Sequence, residues 1–395
     1  ADPEAAWLFA AVACTMGVLH AVPSSLLVGM QRWRDASIVG LITGAVATVA
    51  TVAVLAAGGG ITGMFAVEAV ISAGNLVWTT MLARRALGRV APWRGPALDH
   101  EAWRALRSRA WRYALPASYG FLLTLVVWRR SEFFFLERYS TDTQIALYSV
   151  VFAFVAALTQ FPDAIAAVAL PAVATLSGAG EADRIRVGFA RGLRMVALVA
   201  LPITAVALAI GPRLLKLLFG PDFSGTEPVL LIMLVPFPLL PLLSLSRSVL
   251  AGLGKLRVPL IAETIAAAVN ISLAFALVRD HGAVGAAVSN VAAQLTAAIL
   301  VLTYALWSLG DVDWRPLSLW RGVVAAAAAG LAGWAGVTLL PGAWGLVLGA
   351  LLALVSFSAL AVFLKILPED DAAWLNKEAG RRLGGFVGTV CERCA

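Results

Sequence analysis

Charge is what this sequence has least of. Acidic and basic residues make up 13% of its 395 positions, against roughly 25% in soluble domains, and mean hydropathy is +0.87. So few charged groups cannot clothe a water-facing surface, which excludes an ordinary soluble domain. Cysteine is nearly absent: Cys14, Cys391 and Cys394 make no disulfide framework, and the lone Cys391-Glu392-Arg393-Cys394 lacks the second pair that would complete a zinc site. The three histidines, His20, His100 and His281, fall on different segments, so neither a metal cluster nor a catalytic triad is expected. The run "GLGK" at 252–255 lacks the earlier glycine and the following Ser/Thr of a phosphate loop. No signal peptide with a cleavage site is visible.

What the chain has instead is apolar length. Eleven segments, near 6–29, 36–57, 61–83, 113–138, 144–176, 193–218, 228–252, 258–278, 284–308, 319–340 and 343–366, are long enough to cross ~30 Å of hydrocarbon at ~1.5 Å per residue. Lipid offers the backbone no hydrogen bonds, so spanning chain must be helical or a closed barrel, and these segments show no period-2 alternation. The prediction is an all-α integral membrane protein with about eleven transmembrane helices.

The net charge of +7 would suggest a nucleic-acid partner for a soluble chain; in a membrane chain it reflects the positive-inside rule, and no nucleic acid is expected. Basic residues collect in alternate connections: Arg32 and Arg34, then Arg84 to Arg112, then Arg184 to Arg194, then Lys255 and Arg257, then Arg315 and Arg321, and the tail from Lys365. The intervening turns are short and poor in them. This pattern puts the basic set and the C-terminus in the cytoplasm and Ala1 outside.

A repeat is visible. "SLLVGMQRWR" at 25–34 parallels "SVLAGLGKLR" at 248–257, and at the same offset Gly59 falls on Gly282. Helices one to three then correspond to helices seven to nine, and this even separation implies a parallel six-helix repeat. It predicts that about three helices precede Ala1 in the complete first copy. The expected organisation is 1–85, the second half of an N-terminal lobe; 86–112, a basic amphipathic linker; 113–308, a six-helix C-terminal lobe; 309–366, an added helix pair; and 367–395, a cytoplasmic tail. In the linker, Asp99 and Glu101 can open a helix with Trp103, Leu106 and Ala110 on one face, suited to an anionic membrane surface.

Charge inside the apolar segments carries the functional signal. In "VVWRRSEFFFLE", Arg129 and Arg130 follow fifteen apolar or small positions, and a charge at such depth normally faces a partner or a water-filled cavity. Arg129 and Glu132 stand three apart on one face, where an ion pair is feasible; Arg130 points away and suits an anionic ligand. A second reading ends the helix at Trp128 and lets both arginines snorkel to the interface. Gln160 and Asp163 flank Pro162 in "LTQFPDAIAAVALP", the pattern of a kinked helix with a cavity-facing acid or of a plain structural kink. Arg247, about two turns from the end of its segment, either lines the cavity or snorkels. Glu68, Asn75, Glu263, Asn270, Asn290 and Gln294 stand singly on apolar helices and read as interhelical hydrogen-bonding groups.

Ordered local patterns then resemble a family. "RRSEFFFLERYSTDTQIALYSVVFAFVAAL", "LLKLLFGPDFSGTEPVLLIML", "SVLAGLGKLRVPLIAETIAAAVNISLAF" and "HGAVGAAVSNVAAQ" look like the polysaccharide and lipid-linked oligosaccharide flippases (Wzx-type) of the multidrug/oligosaccharidyl-lipid/polysaccharide exporter superfamily. The resemblance implies a 14-helix bundle of two six-helix lobes plus a pair (6+6+2), without enzymatic activity or cofactor, a coupling proton or sodium ion aside. It implies that undecaprenyl-pyrophosphate-linked glycan passes from the inner to the outer leaflet of the bacterial cytoplasmic membrane by alternating access, through a cationic cavity. Arg129, Arg130, Glu132, Gln160, Asp163 and Arg247 are the candidate cavity residues. The expected partners are the lipid-linked glycan, membrane lipids, and polysaccharide polymerase and assembly proteins. Three rivals stay open: a drug/cation antiporter of the same superfamily, a lipid II flippase, and a membrane-embedded glycan polymerase or glycosyltransferase, which would need larger outer loops.

Overall fold

The computed structural model describes residues 3–90, 99–123, 129–310, 319–366, 370–371 and 373. Among these, every regular element is helical. In chain order they are α1 (Pro3–Gly29), α2 (Trp33–Ala56), α3 (Gly60–Val90), α4 (His100–Leu123), α5 (Arg129–Tyr139), α6 (Asp142–Ala167), α7 (Ala169–Gly178), α8 (Ala182–Phe219), a 3-10 turn (Pro221–Gly225), α9 (Thr226–Leu234), α10 (Leu240–Gly252), α11 (Arg257–Leu309), α12 (Leu319–Leu339) and α13 (Gly342–Phe363). Among the described residues, eight stretches are long and apolar enough to cross a membrane, with shorter apolar helices at Pro162–Gly178 and in α10. The chain is an all-α, multi-pass membrane protein.

Several expected spans are broken, and proline explains where. The segment expected over 144–176 is two helices because Pro171 has no N–H to offer the Ala167 carbonyl, so α6 stops there and α7 restarts at Ala169. Pro171 then sits in the first turn of α7, where a missing N–H removes no helical bond. The segment expected over 228–252 divides into α9 and α10 around Pro236, Pro238 and Pro241. The bonds tighten there to a three-residue span, with the amide of Leu239 donating to the Pro236 carbonyl at 2.8 Å. The expected segment over 113–138 is occupied by the end of α4 and by α5; residues 124–128 lie outside the described part.

Gly282 folds α11 back on itself. Its φ of 51° and ψ of −128° turn the helix without a loop, so the expected spans over 258–278 and 284–308 are two arms of one element. The N–H of Ala283, freed by the break, donates to Gln144 Oε1 at 2.9 Å. A Cβ at Gly282 would stand 2.8 Å from that same oxygen, so both the left-handed φ and the close approach call for glycine.

The chain divides into two compact units, Ala1–Arg107 and Ser108–Ala395. In the first, α3 packs against α1 and α2 around the small residues Ala83 and Ala86 beneath Leu27, and His20 Nε2 meets Thr79 Oγ1 at 3.1 Å. Most large side chains of α1 and α2 point outward, which costs nothing against lipid. The second unit holds more than one apolar core. One core joins α8, α10 and α11 around Leu193, Val249 and Val301; another joins α5, α6, α9 and α11 around Leu136, Tyr148 and Phe237. α12 and α13 close on each other through Gly333, Gly336 and Gly349; a Cβ on Gly349 would lie 2.3 Å from Val337 Cγ2, so only small residues allow the approach.

Beyond α13, Asp371 is fully buried and ties the chain back to α8. Its carboxylate accepts from Arg191 Nε at 2.8 Å, from Arg194 Nη2 at 3.1 Å and from Arg194 Nε. Burial alone would raise its pKa, but the hydrogen bonds and charges of Arg194 and Arg191 outweigh it and hold the carboxyl below its ordinary value.

Candidate functional site

Two polar groups interrupt the apolar interior of the second unit, and one side chain joins them. The first is built on Glu132, in the first turn of α5 and fully buried. Its Oε1 accepts from Asn270 Nδ2 at 2.7 Å and from Asn290 Nδ2 at 2.6 Å, while Ser131 Oγ donates to Oε2 at 3.2 Å. Asn270 and Asn290 belong to opposite arms of α11, so the turn at Gly282 brings both amides to one carboxylate. An unpaired carboxylate here would cost several kcal/mol; two amide donors offset much of that and keep the site compact. Among the described residues, the hydroxyl of Tyr148, Oδ1 of Asn270 and Oε1 of Gln294 are buried without a hydrogen-bond partner.

The second group lines a cavity of about 270 Å³ between α6, α9, α10 and α11. Gln160 and Asp163 come from α6, Ser244 and Arg247 from α10, and Gln294 from α11. Both Gln160 and Asp163 are open to it, and Asp163 faces Ser244 and Arg247. Arg247 Nε stands 2.8 Å from Glu263 Oε1, within ion-pair reach but outside hydrogen-bond geometry. One guanidinium therefore serves two carboxylates, and little of its charge remains for an anionic ligand.

Gln294 connects the two groups. It lines the cavity, and its Nε2 donates to Asn290 Oδ1, whose Nδ2 holds Glu132. A relay of amides thus runs from the cavity wall to the buried carboxylate.

Of the six residues expected in the cavity, the structure brings Gln160, Asp163 and Arg247 to one wall and sets Glu132 behind it. Arg129 and Arg130 open α5, and their side chains lie outside the described part. Four participants, Glu263, Asn270, Asn290 and Gln294, are residues that sequence reasoning set aside as isolated hydrogen-bonding groups. Their spacing held a signal, since Asn290 and Gln294 are four apart and Glu263 and Asn270 seven, each pair on one helical face.

The comparisons with known proteins follow the same ground. A family model described as MatE matches residues 121–276, a stretch containing Glu132, Asp163, Arg247, Glu263 and Asn270. No curated protein sequence matches at a significant level. Among solved structures, one described as lipid II flippase MurJ in an inward closed conformation superposes with a TM-score of 0.57 at 13% identity, covering 88% of this chain and 71% of that one. The chain has a MurJ-type fold. Likeness at this identity establishes the MurJ-type architecture and leaves the cargo to be argued from the site.

Proposed function

We propose that the protein is a flippase that carries undecaprenyl-pyrophosphate-linked oligosaccharide or polysaccharide repeat units from the inner to the outer leaflet of the bacterial cytoplasmic membrane by alternating access, with its C-terminus cytoplasmic. The observation that carries this reading is the polar wall of Gln160, Asp163, Ser244, Arg247 and Gln294 inside an apolar helical unit, joined by amides to Glu132. Hydroxyls, amides and a carboxylate are the groups that hydrogen-bond sugars, and the broken helices α6–α7 and α9–α10 flanking the wall suit a moving cavity. The lipid tail stays in the bilayer, and only pyrophosphate and sugars need a polar route.

Because Arg247 is engaged by Glu263 and Asp163, the pyrophosphate falls to Arg129 and Arg130, whose forked, permanently charged donors match phosphate oxygens. A coupling proton or sodium ion is assigned to Asp163, whose carboxylate opens on the cavity that Gln294 also lines. The partners in this reading are membrane lipids and the polymerase and assembly proteins that consume the flipped glycan.

Native mass spectrometry of the protein with undecaprenyl-pyrophosphate glycans, beside a folded Arg129→Ala/Arg130→Ala variant, tests the reading. Binding that falls in the variant supports it. Equal binding by both returns the arginines to the interface. Absence of binding by either favours a drug/cation antiporter, the second reading, which draws support from Glu132, Asp163 and Glu263 outnumbering Arg247 among the described residues of the site.

A further inference from the structure

Arg213 and Lys216 stand at the end of α8 opposite its basic start. From Arg194 to Arg213 the helix rises about 28 Å at ~1.5 Å per residue, close to the ~30 Å of a hydrocarbon core. With Arg194 held by Asp371 at one boundary, Arg213 lies at the other, and Lys216, one turn further, lies in the headgroup layer. Both border a cavity of about 650 Å³ between α8 and the α12–α13 turn, whose walls include Leu217, Leu339, Leu340 and Leu346.

The local charge exceeds what the helix ends need. Arg213 Nη1 donates to the Val337 carbonyl in the last turn of α12, and Lys216 lies in the last turn of α8, so both offset helix C-termini. Two such ends supply about one negative charge together, against two full positive charges. α13 begins at Gly342 in the same wall and adds the positive end of its own dipole. About one and a half positive charges are left over. Among the described residues neither cation has a carboxylate partner, and Arg213 spends one of its five N–H donors on Val337.

We propose that this cavity is a phosphodiester site for one anionic membrane lipid, with Arg213 and Lys216 on the phosphate and the leucines along the upper acyl carbons. The surplus charge suffices to hold a monoanionic phosphodiester, and the site's depth matches the junction of headgroup and chain. It lies on α8, α12 and α13, apart from the wall formed by α6, α10 and α11.

The test is native mass spectrometry of the full chain released from nanodiscs of mixed phosphatidylglycerol and phosphatidylcholine. The wild type is expected to retain phosphatidylglycerol selectively. Lys216→Gln, which removes no hydrogen bond or ion pair among the described residues, is expected to lower that retention about fivefold. Arg213→Lys keeps the charge and is expected to retain more lipid than Arg213→Gln. Millimolar inorganic phosphate is expected to displace none of it. Equal retention by wild type and Lys216→Gln overturns the site, and displacement by inorganic phosphate overturns its assignment to a lipid. Retention is read without transport, so the result stands whether or not the flippase reading survives.

Discussion

Glu132 and Arg247 are both charges inside an apolar helical unit, and the protein treats them in opposite ways. Glu132 is sealed: no solvent reaches it, and its oxygens are taken by Asn270, Asn290 and Ser131. Arg247 is a third exposed at the wall of a cavity and shares its charge between two carboxylates. The difference shows how one unit supports both rigidity and a changing ligand. A carboxylate satisfied by rigid amides on two arms of one helix fixes geometry, whereas a guanidinium between competing acids exchanges partners at small cost. Gln294 touches both and transmits a change at the open group to the closed one.

Breaking the sealed group is expected to have the largest effect. Glu132→Ala leaves two buried amides without an acceptor and is expected to cost roughly 3 kcal/mol, read as a lowered unfolding midpoint in detergent. Glu132→Gln keeps one acceptor oxygen and is expected to cost only about 1 kcal/mol. If Ala and Gln are equally tolerated, the carboxylate does not organise α11. Next is the turn that brings the amides together: Gly282→Ala sets a Cβ against Gln144 at a left-handed φ, with an expected loss of about 2 kcal/mol, measured the same way.

The tie at Asp371 offers a control outside the membrane. Asp371→Asn is expected to cost roughly 1–2 kcal/mol near neutral pH. Because the folded pKa lies below the unfolded value of about 3.9, this contribution is present above that value and is lost as pH falls through the folded pKa. The difference between wild type and variant in thermal scans should therefore shrink in acid; a constant difference would mean that the contact is not ionic.

The open group sharpens the comparison from the other side. Asp163→Asn, at a residue open to the cavity, is expected to lower stability by less than about 1 kcal/mol and to shift glycan binding in the assay above several-fold. A large stability loss without a binding change would make the cavity wall as structural as the sealed group.

Much of the architecture could be read from the residues, because lipid forces apolar helices: the spans and the turn at Gly282 have local causes, whereas α6 runs on through Pro162 and ends only at Ala167. The sealed site could not be read that way. Glu132 lies 138 residues from Asn270 and 158 from Asn290, and no local periodicity tells a lone asparagine which distant carboxylate it will meet. Asp163 and Arg247 were legible because a charge among apolar residues stands out; Asn290 and Gln294 were not, because uncharged amides on apolar helices are ordinary packing groups.

That separation bears on how the chain is made. At ~5–20 residues per second, a ribosome needs roughly 8 to 30 s to pass from Glu132 to Asn290. For most of that interval the carboxylate of the nascent α5 is without either amide, since Asn270 is made 138 residues after Glu132. α5 therefore settles late, after the hairpin of α11 has been threaded into the bilayer, and the newborn chain is most open to capture by membrane quality control during that wait.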